Sequence, residues 1–296
     1  MEQWATMQFT PIASGYSFVE APRVDDDGTL YFSDLLGGGF YRRRAGGTDI
    51  DTLIPGRMWV GGTVLDESGA VLCSGRGGIV RIDPDRGTVT PLLTELESRP
   101  VVAINDIEAD AHGGIFGGSV DFAALFERGE IPSNGQFFHL PPEGPARVLR
   151  EGLVVSNGLG FSPDGRWLYH SETMRGIWIY PLAADGTPGK PELFAGLEDS
   201  DGLVVDSEGC VWLACWKSAR ILRFRPDGNV DRTITLPFTH IVSLAFGGPD
   251  LTDLYVATGT DDAHPGQGGV VCIKSDVPGL RPFRSRMAAT VRAGAP

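Results

Sequence analysis

Cysteine is scarce in this chain. There are four in 296 residues, Cys73, Cys210, Cys215 and Cys272, and no two form a CxxC. That excludes a disulfide-built scaffold and leaves reduced thiols, and with them a cytoplasmic protein, as the expectation. Basic charge is short as well: 25 Lys and Arg face 38 Asp and Glu, for a net charge of −13. Such a surface repels phosphate, so no nucleic-acid partner is expected. No apolar run approaches the ~18 residues of a membrane span. Met1 to Thr10 lacks the basic-then-apolar order of a secretory leader, so neither membrane nor export is expected. Helical periodicity is nearly missing, with Phe122–Gly129 (FAALFERG) the one stretch that promises a turn or two. Catalytic signatures are missing too. There is no HExxH and no GxSxG elbow, and the glycine groups at 37–39 and 75–78 lack the strand-to-helix setting of a phosphate loop. His112, His139, His170 and His264 show no metal-ligand spacing.

Glycine is abundant instead: 41 residues, about twice the usual ~7%. The glycines punctuate a repeat. Six segments share an apolar residue, an acidic or Pro-containing turn ending near Gly, and a short β-rich run: 24–34, 65–75, 109–119, 161–171, 205–215 and, with a longer turn, 246–259. Gly28, Gly69, Gly113, Gly165 and Gly209 stand 41, 44, 52 and 44 residues apart. Each unit continues into a second strand-like run, such as IVRID (79–83), IWIYP (177–181) and ILRFR (221–225). A turn glycine between alternating runs is a hairpin, and multi-stranded repeats of ~40–50 residues are propeller blades. The expected fold is all-β, a six-bladed β-propeller forming a single domain over 1–296. Residues 268–276 and 7–14 are expected to close the ring by pairing in one blade, and 281–296 to form a flexible basic tail. The Pro/Gly-rich stretch 131–145 reads as a long connection in the third repeat.

Counting back eight residues from the turn glycine reaches Glu20, Asn105, Asn157 and Asp201, with Gly61 and Val242 at the corresponding points of the second and sixth repeats. That position is expected to precede the innermost strand, so these residues converge at one mouth of the central channel. Two carboxylates and two carboxamides make a hard oxygen set suited to Ca²⁺, or to Mg²⁺ and Mn²⁺ with more water retained. A bound dication would relieve the repulsion between the carboxylates.

The segments FVEAP (18–22), IND (104–106), SNGLGFSPDGRWLY (156–169), DSDGLVVDSEGCVWLACW (199–216) and SLAFGG (243–248) resemble the regucalcin/gluconolactonase family of metal-dependent six-bladed propellers, in order along nearly the whole chain. The resemblance implies one divalent ion, Ca most readily, with Zn, Mg, Mn or Fe as alternatives, held by Glu20, Asn157 and Asp201. It implies Asn105 beside the ion, in contact with substrate or a bound water, and Asp201 as general base. The chain departs from the sugar-lactonase pattern at Ala103, where those enzymes carry Arg, and at Ile107, where they carry Gly. Ala cannot clamp a polyhydroxylated or anionic substrate as Arg can. With Tyr16, Phe18, Met58, Trp59, Phe122, Phe126 and Trp216 expected around the mouth, the inferred substrate is more apolar or aromatic than gluconolactone. His240 is a further acid or base candidate.

The expected function is metal-dependent hydrolysis of a lactone or related cyclic ester by a monomer or weak homo-oligomer. Catalytic residues are Asp201, Asn105 and His240, and Asn105, Ala103, Trp59, Phe18, Phe122 and Trp216 meet the substrate. Two alternatives stay open: a lyase, hydratase or isomerase step through an enolate on the same scaffold, and a non-enzymatic calcium-binding propeller.

Overall fold

The β-rich runs on either side of each turn glycine pair as hairpins, and the glycines at 28, 69, 113, 165 and 209 all adopt positive φ, between 67° and 88°. In the computed structural model, which describes residues 8–260 and 266–288, these hairpins extend into six antiparallel blades, five of four strands and the third with the short strand Gly75–Arg76 added as a fifth. The innermost strands are Val19–Val24, Thr63–Leu65, Ala103–Ala109, Val155–Phe161, Ser200–Val205 and His240–Gly247. Each touches the next, and the sixth touches the first, so the ring closes. The protein is a six-bladed β-propeller.

Burial follows the radius. Val155–Phe161 is buried at every residue, whereas the outer strand Ile50–Pro55 is buried at none. The apolar core is divided among the blade borders. Phe32 and Val19 of blade 1 pack on Val242 and Ala257 of blade 6, and Phe116 and Phe137 of blade 3 pack on Leu159 and Leu168 of blade 4. Comparable clusters fill the other four borders. A seventh comprises Leu35, Trp59, Ala103, Val120, Phe122, Val154 and Val155, at the end where the inner strands begin.

Closure uses the two runs expected for it. Thr10–Tyr16 is the outer strand of blade 6, antiparallel to Gly268–Lys274, with Thr10 opposite Cys272 and Ser14 opposite Gly269. This covers an edge that would otherwise offer unpaired backbone groups. The long connection expected over 131–145 is shorter than the composition suggested. Gly135–Leu140 is a buried strand of blade 3, because its Gln-Phe-Phe-His-Leu run carries enough aromatic surface to pair and pack. Ala123–Arg128 forms one π-helical turn, ended by Gly129 in the left-handed region.

Of the stretch expected as a tail, residues 281–288 cross the face formed by the hairpin turns, and 289–296 lie outside the described residues. Ser285 bridges to Asp66, whose carboxylate accepts from the Ser285 hydroxyl and the Met287 amide. Arg284 pairs with Asp25 and Asp26, and Met287 is buried in the cluster between blades 2 and 3. Beneath this strap lies a cavity of about 240 Å³ lined by Phe161, Phe246, Leu280 and Phe283. Arg23 and Glu108, joined at 2.6 Å and mostly buried, line both this cavity and the channel above it.

Candidate active site

Five of the six inner strands slip register near the same point, and the short inner strand of blade 2 pairs without a shift. Pairing with the second strand jumps between Glu20 and Arg23, Ile104 and Ile107, Ser156 and Leu159, Ser200 and Leu203, and Ile241 and Ser243. A bulge bends the strand and re-aims a side chain. Glu20, Asn105, Asn157 and Asp201 sit at these bulges, inside the strands rather than ahead of them as expected, and all four are buried.

Their polar atoms are committed unevenly. Asn105 donates from Nδ2 to the Ser156 carbonyl at 2.8 Å, and Asn157 donates from Nδ2 to Thr173 Oγ1 at 3.0 Å. Thr173 Oγ1 in turn donates to the Ser200 carbonyl at 2.6 Å. The carboxamide nitrogens thus face the protein. Glu20 Oε2, Asn105 Oδ1 and Asp201 Oδ1 are buried with no hydrogen-bond partner, an arrangement native interiors rarely leave unresolved. Gly61 makes room for the second of these, since a Cβ there would stand 1.8 Å from Asn105 Oδ1.

Asp106, which the repeat phase does not single out, joins the carboxylates. Burial, then the charges of Asp201 and Asp106, hold Glu20 well above the usual carboxylate range. Burial and Asp106 do the same to Asp201. Asp106 is pushed up to about 7 by burial, against the opposing pull of Arg23. Its signal was its place: the residue after Asn157 and after Asp201 is glycine, and after Asn105 it is an acid. Among the described residues no three His, Cys, Asp or Glu side chains are drawn together as a ready-made metal cluster. The set here mixes carboxylates with carboxamides.

The aromatic residues form two walls. Phe18, Trp216 and His240 make one, with His240 5.8 Å from the Phe18 ring and 5.6 Å from Trp216. His240 Nδ1–H donates to the Trp216 carbonyl at 2.8 Å, leaving Nε2 as the acceptor. The other wall is Trp59 on Phe122, 6.0 Å apart, with the exposed Phe126 stacked on Phe122 at 5.2 Å. Ala103 is wholly enclosed beneath this second pair. Tyr16 packs instead against Phe32 and Tyr41 at the border of blades 6 and 1. Among the described residues no helix is long and apolar enough to cross a membrane.

Residues 18–260 match the model of the SMP-30/gluconolactonase/LRE-like region. The 6-deoxy-6-sulfogluconolactonase of Pseudomonas putida is 31% identical over 84% of this chain and 88% of its own. The pentonolactonase XacC of Haloferax volcanii is 27% identical over 82% of each. Among solved structures, the calcium-binding protein regucalcin from Agrobacterium tumefaciens superposes with a TM-score of 0.82 at 25% identity, over 96% of this chain and all of the other. By its repeat, its bulged inner strands and these matches, the chain belongs to the SMP-30/gluconolactonase/LRE-like family.

Proposed function

We propose that this protein is a divalent-cation-dependent hydrolase that opens a small lactone to its hydroxy acid. The observation that carries the reading is the trio of buried oxygens without partners, Glu20 Oε2, Asn105 Oδ1 and Asp201 Oδ1. Two carboxylates and two carboxamide oxygens are hard donors that fit Ca²⁺ or a similar ion. Enclosing them unpaired is costly, and a cation offsets both their desolvation and their mutual repulsion. The relatives named as lactonases, and the structural neighbour described as calcium-binding, support the same reading.

Glu20, Asn157 and Asp201 would hold the ion, with Asn105 beside it. When bound, a divalent cation supplies Lewis acidity toward a carbonyl oxygen and acidifies water. The Asp201 carboxylate takes a proton from the attacking water. As the ring C–O bond breaks, that proton passes to the departing ring oxygen, so lactone plus water gives one hydroxy acid. His240 presents Nε2 as a second proton acceptor beside the aromatic wall. Phe18 and Trp216 shelter the reacting carbonyl from bulk water and offer flat apolar faces, which favours a ring less hydroxylated than a sugar lactone.

The test is elemental analysis of the purified protein together with hydrolysis of dihydrocoumarin and glucono-1,5-lactone. About one divalent ion per chain is expected, with turnover abolished by chelator and restored by the ion. Asp201→Asn should keep most of the ion and lose ~10²–10⁴-fold in kcat. Failure to bind any divalent ion under supplementation would overturn the site, and full turnover by D201N would remove Asp201 as base.

A further inference from the structure

Gly75 and Arg76 leave blade 2 and pair with the inner strand of blade 3, Gly75 opposite Ile104 and Arg76 opposite Ala103. A guanidinium therefore stands across from the alanine two residues before Asn105, at the mouth of the channel. It lies over the indole of Trp59, 3.8 Å from the ring centroid. Trp59 is a built platform. It is held at a φ of 62°, a region that residues with a β-carbon avoid, and it is only 3% exposed. Its amide donates to the Leu35 carbonyl, and Phe122, Val120 and Ala103 pack in the same cluster around it. Stacking on such a face orients a guanidinium while leaving its N–H fork available.

Among the described residues the fork has one ion-pair partner, Glu127, whose Oε1 accepts from Nη2 at 2.6 Å. Glu127 lies on the π-helical turn Ala123–Arg128, which Phe122 and Ala124 anchor. Both side chains of the pair are about half exposed, and an ion pair in that setting contributes little to stability. The free protein thus already shows the guanidinium holding a carboxylate in a position another carboxylate could take at small cost.

We infer that Arg76 on its Trp59 platform receives an oxyanion of the substrate in place of Glu127, so that the lactone carries a carboxylate or similar group remote from the carbonyl attacked. The inference rests on the hydrolase reading above and refines its substrate class. The absence of a cation at Ala103 is made good by the neighbouring strand.

The experiment compares 5-oxotetrahydrofuran-2-carboxylate with its neutral carboxamide, two lactones of the same ring and shape. The wild-type protein should favour the carboxylate about tenfold or more in kcat/KM, less at high salt. Arg76→Met should bring that ratio to near one, chiefly through KM, and Arg76→Lys, which keeps charge without the planar fork, should fall between. Glu127→Gln removes the competing carboxylate and should raise the preference. If the Arg76–Glu127 pair were only structural, E127Q and R76M would act in the same direction, and that result would overturn the inference. A ratio unchanged in R76M, or no preference in the wild type while the carboxamide is hydrolysed with cation dependence, would overturn it while leaving the hydrolase intact. Turnover of neither lactone, nor of dihydrocoumarin or glucono-1,5-lactone, would remove the hydrolase reading and this inference with it.

Discussion

A methyl group at position 61 would stand 1.8 Å from Asn105 Oδ1, so Gly61→Ala must push the carboxamide off its present line or shift the backbone of blade 2. Overpacking of this kind costs about 1–3 kcal/mol, or roughly 2–10 °C in a domain of this size. Cation affinity should fall by up to about tenfold as the carboxamide beside the ion is turned away, since each tenfold corresponds to ~1.4 kcal/mol. Calcium titration calorimetry alongside a thermal melt separates the two effects. Unchanged affinity with a lowered melting temperature would mean that the Asn105 oxygen does not serve the ion or its bound water. Glu20, Asn105, Asn157 and Asp201 were legible in the sequence because each lies eight residues before a turn glycine, or at the same phase, and the bulge preserves that count. Asp106 was less legible, since a repeat phase marks one residue per blade and Asp106 stands where blades 2, 4 and 5 place glycine. Arg76 was illegible as a partner of the site. Its pairing with Ala103 crosses a blade border, and no local pattern records which strand a two-residue segment will join.

At the scale of elements, the turn chemistry made five hairpins readable. The strand Gly135–Leu140 was obscured by the prolines and glycines around it, although its own aromatic run is buried across Gly135–Phe138 and at Leu140. The closing pair was readable because a ring of blades is usually closed by a strand from one end of the sequence completing a blade from the other, and both runs lie near opposite ends. Thr10–Tyr16 is the outermost strand of its blade, and its residues are mostly exposed or half-buried. Its removal therefore deletes little core but uncovers the edge of Gly268–Lys274. Deleting residues 8–16 should lower the melting temperature by about 10 °C or more and promote self-association through the bare edge. Light scattering during a thermal ramp would register both. A monomeric protein with an unchanged melt would show that the strand contributes nothing to closure.

For the whole molecule, the channel has two unlike ends. The mouth carries the oxygen donors, the aromatic walls and Arg76. The far end carries the Arg23–Glu108 pair, the cavity beneath it and the strap that covers that cavity. Truncation after Val277 removes the strap, exposing Phe161 and the site vacated by Met287 between blades 2 and 3. The melting temperature should fall by several degrees, about 2–4 °C for each kcal/mol lost, whereas cation binding at the mouth should persist. Loss of cation binding in that truncation would show that the two ends are coupled through Arg23 and Asp106. The closing strand has a consequence in time as well as in space. Thr10 meets Cys272, so the strand Thr10–Tyr16 has no partner until some 260 further residues have been made. At ~5–20 residues per second, that wait is on the order of 13–50 s. The strand is made long before its partner, and through that interval the nascent chain carries an unpaired β-segment that a second nascent chain, or a chaperone, can reach first.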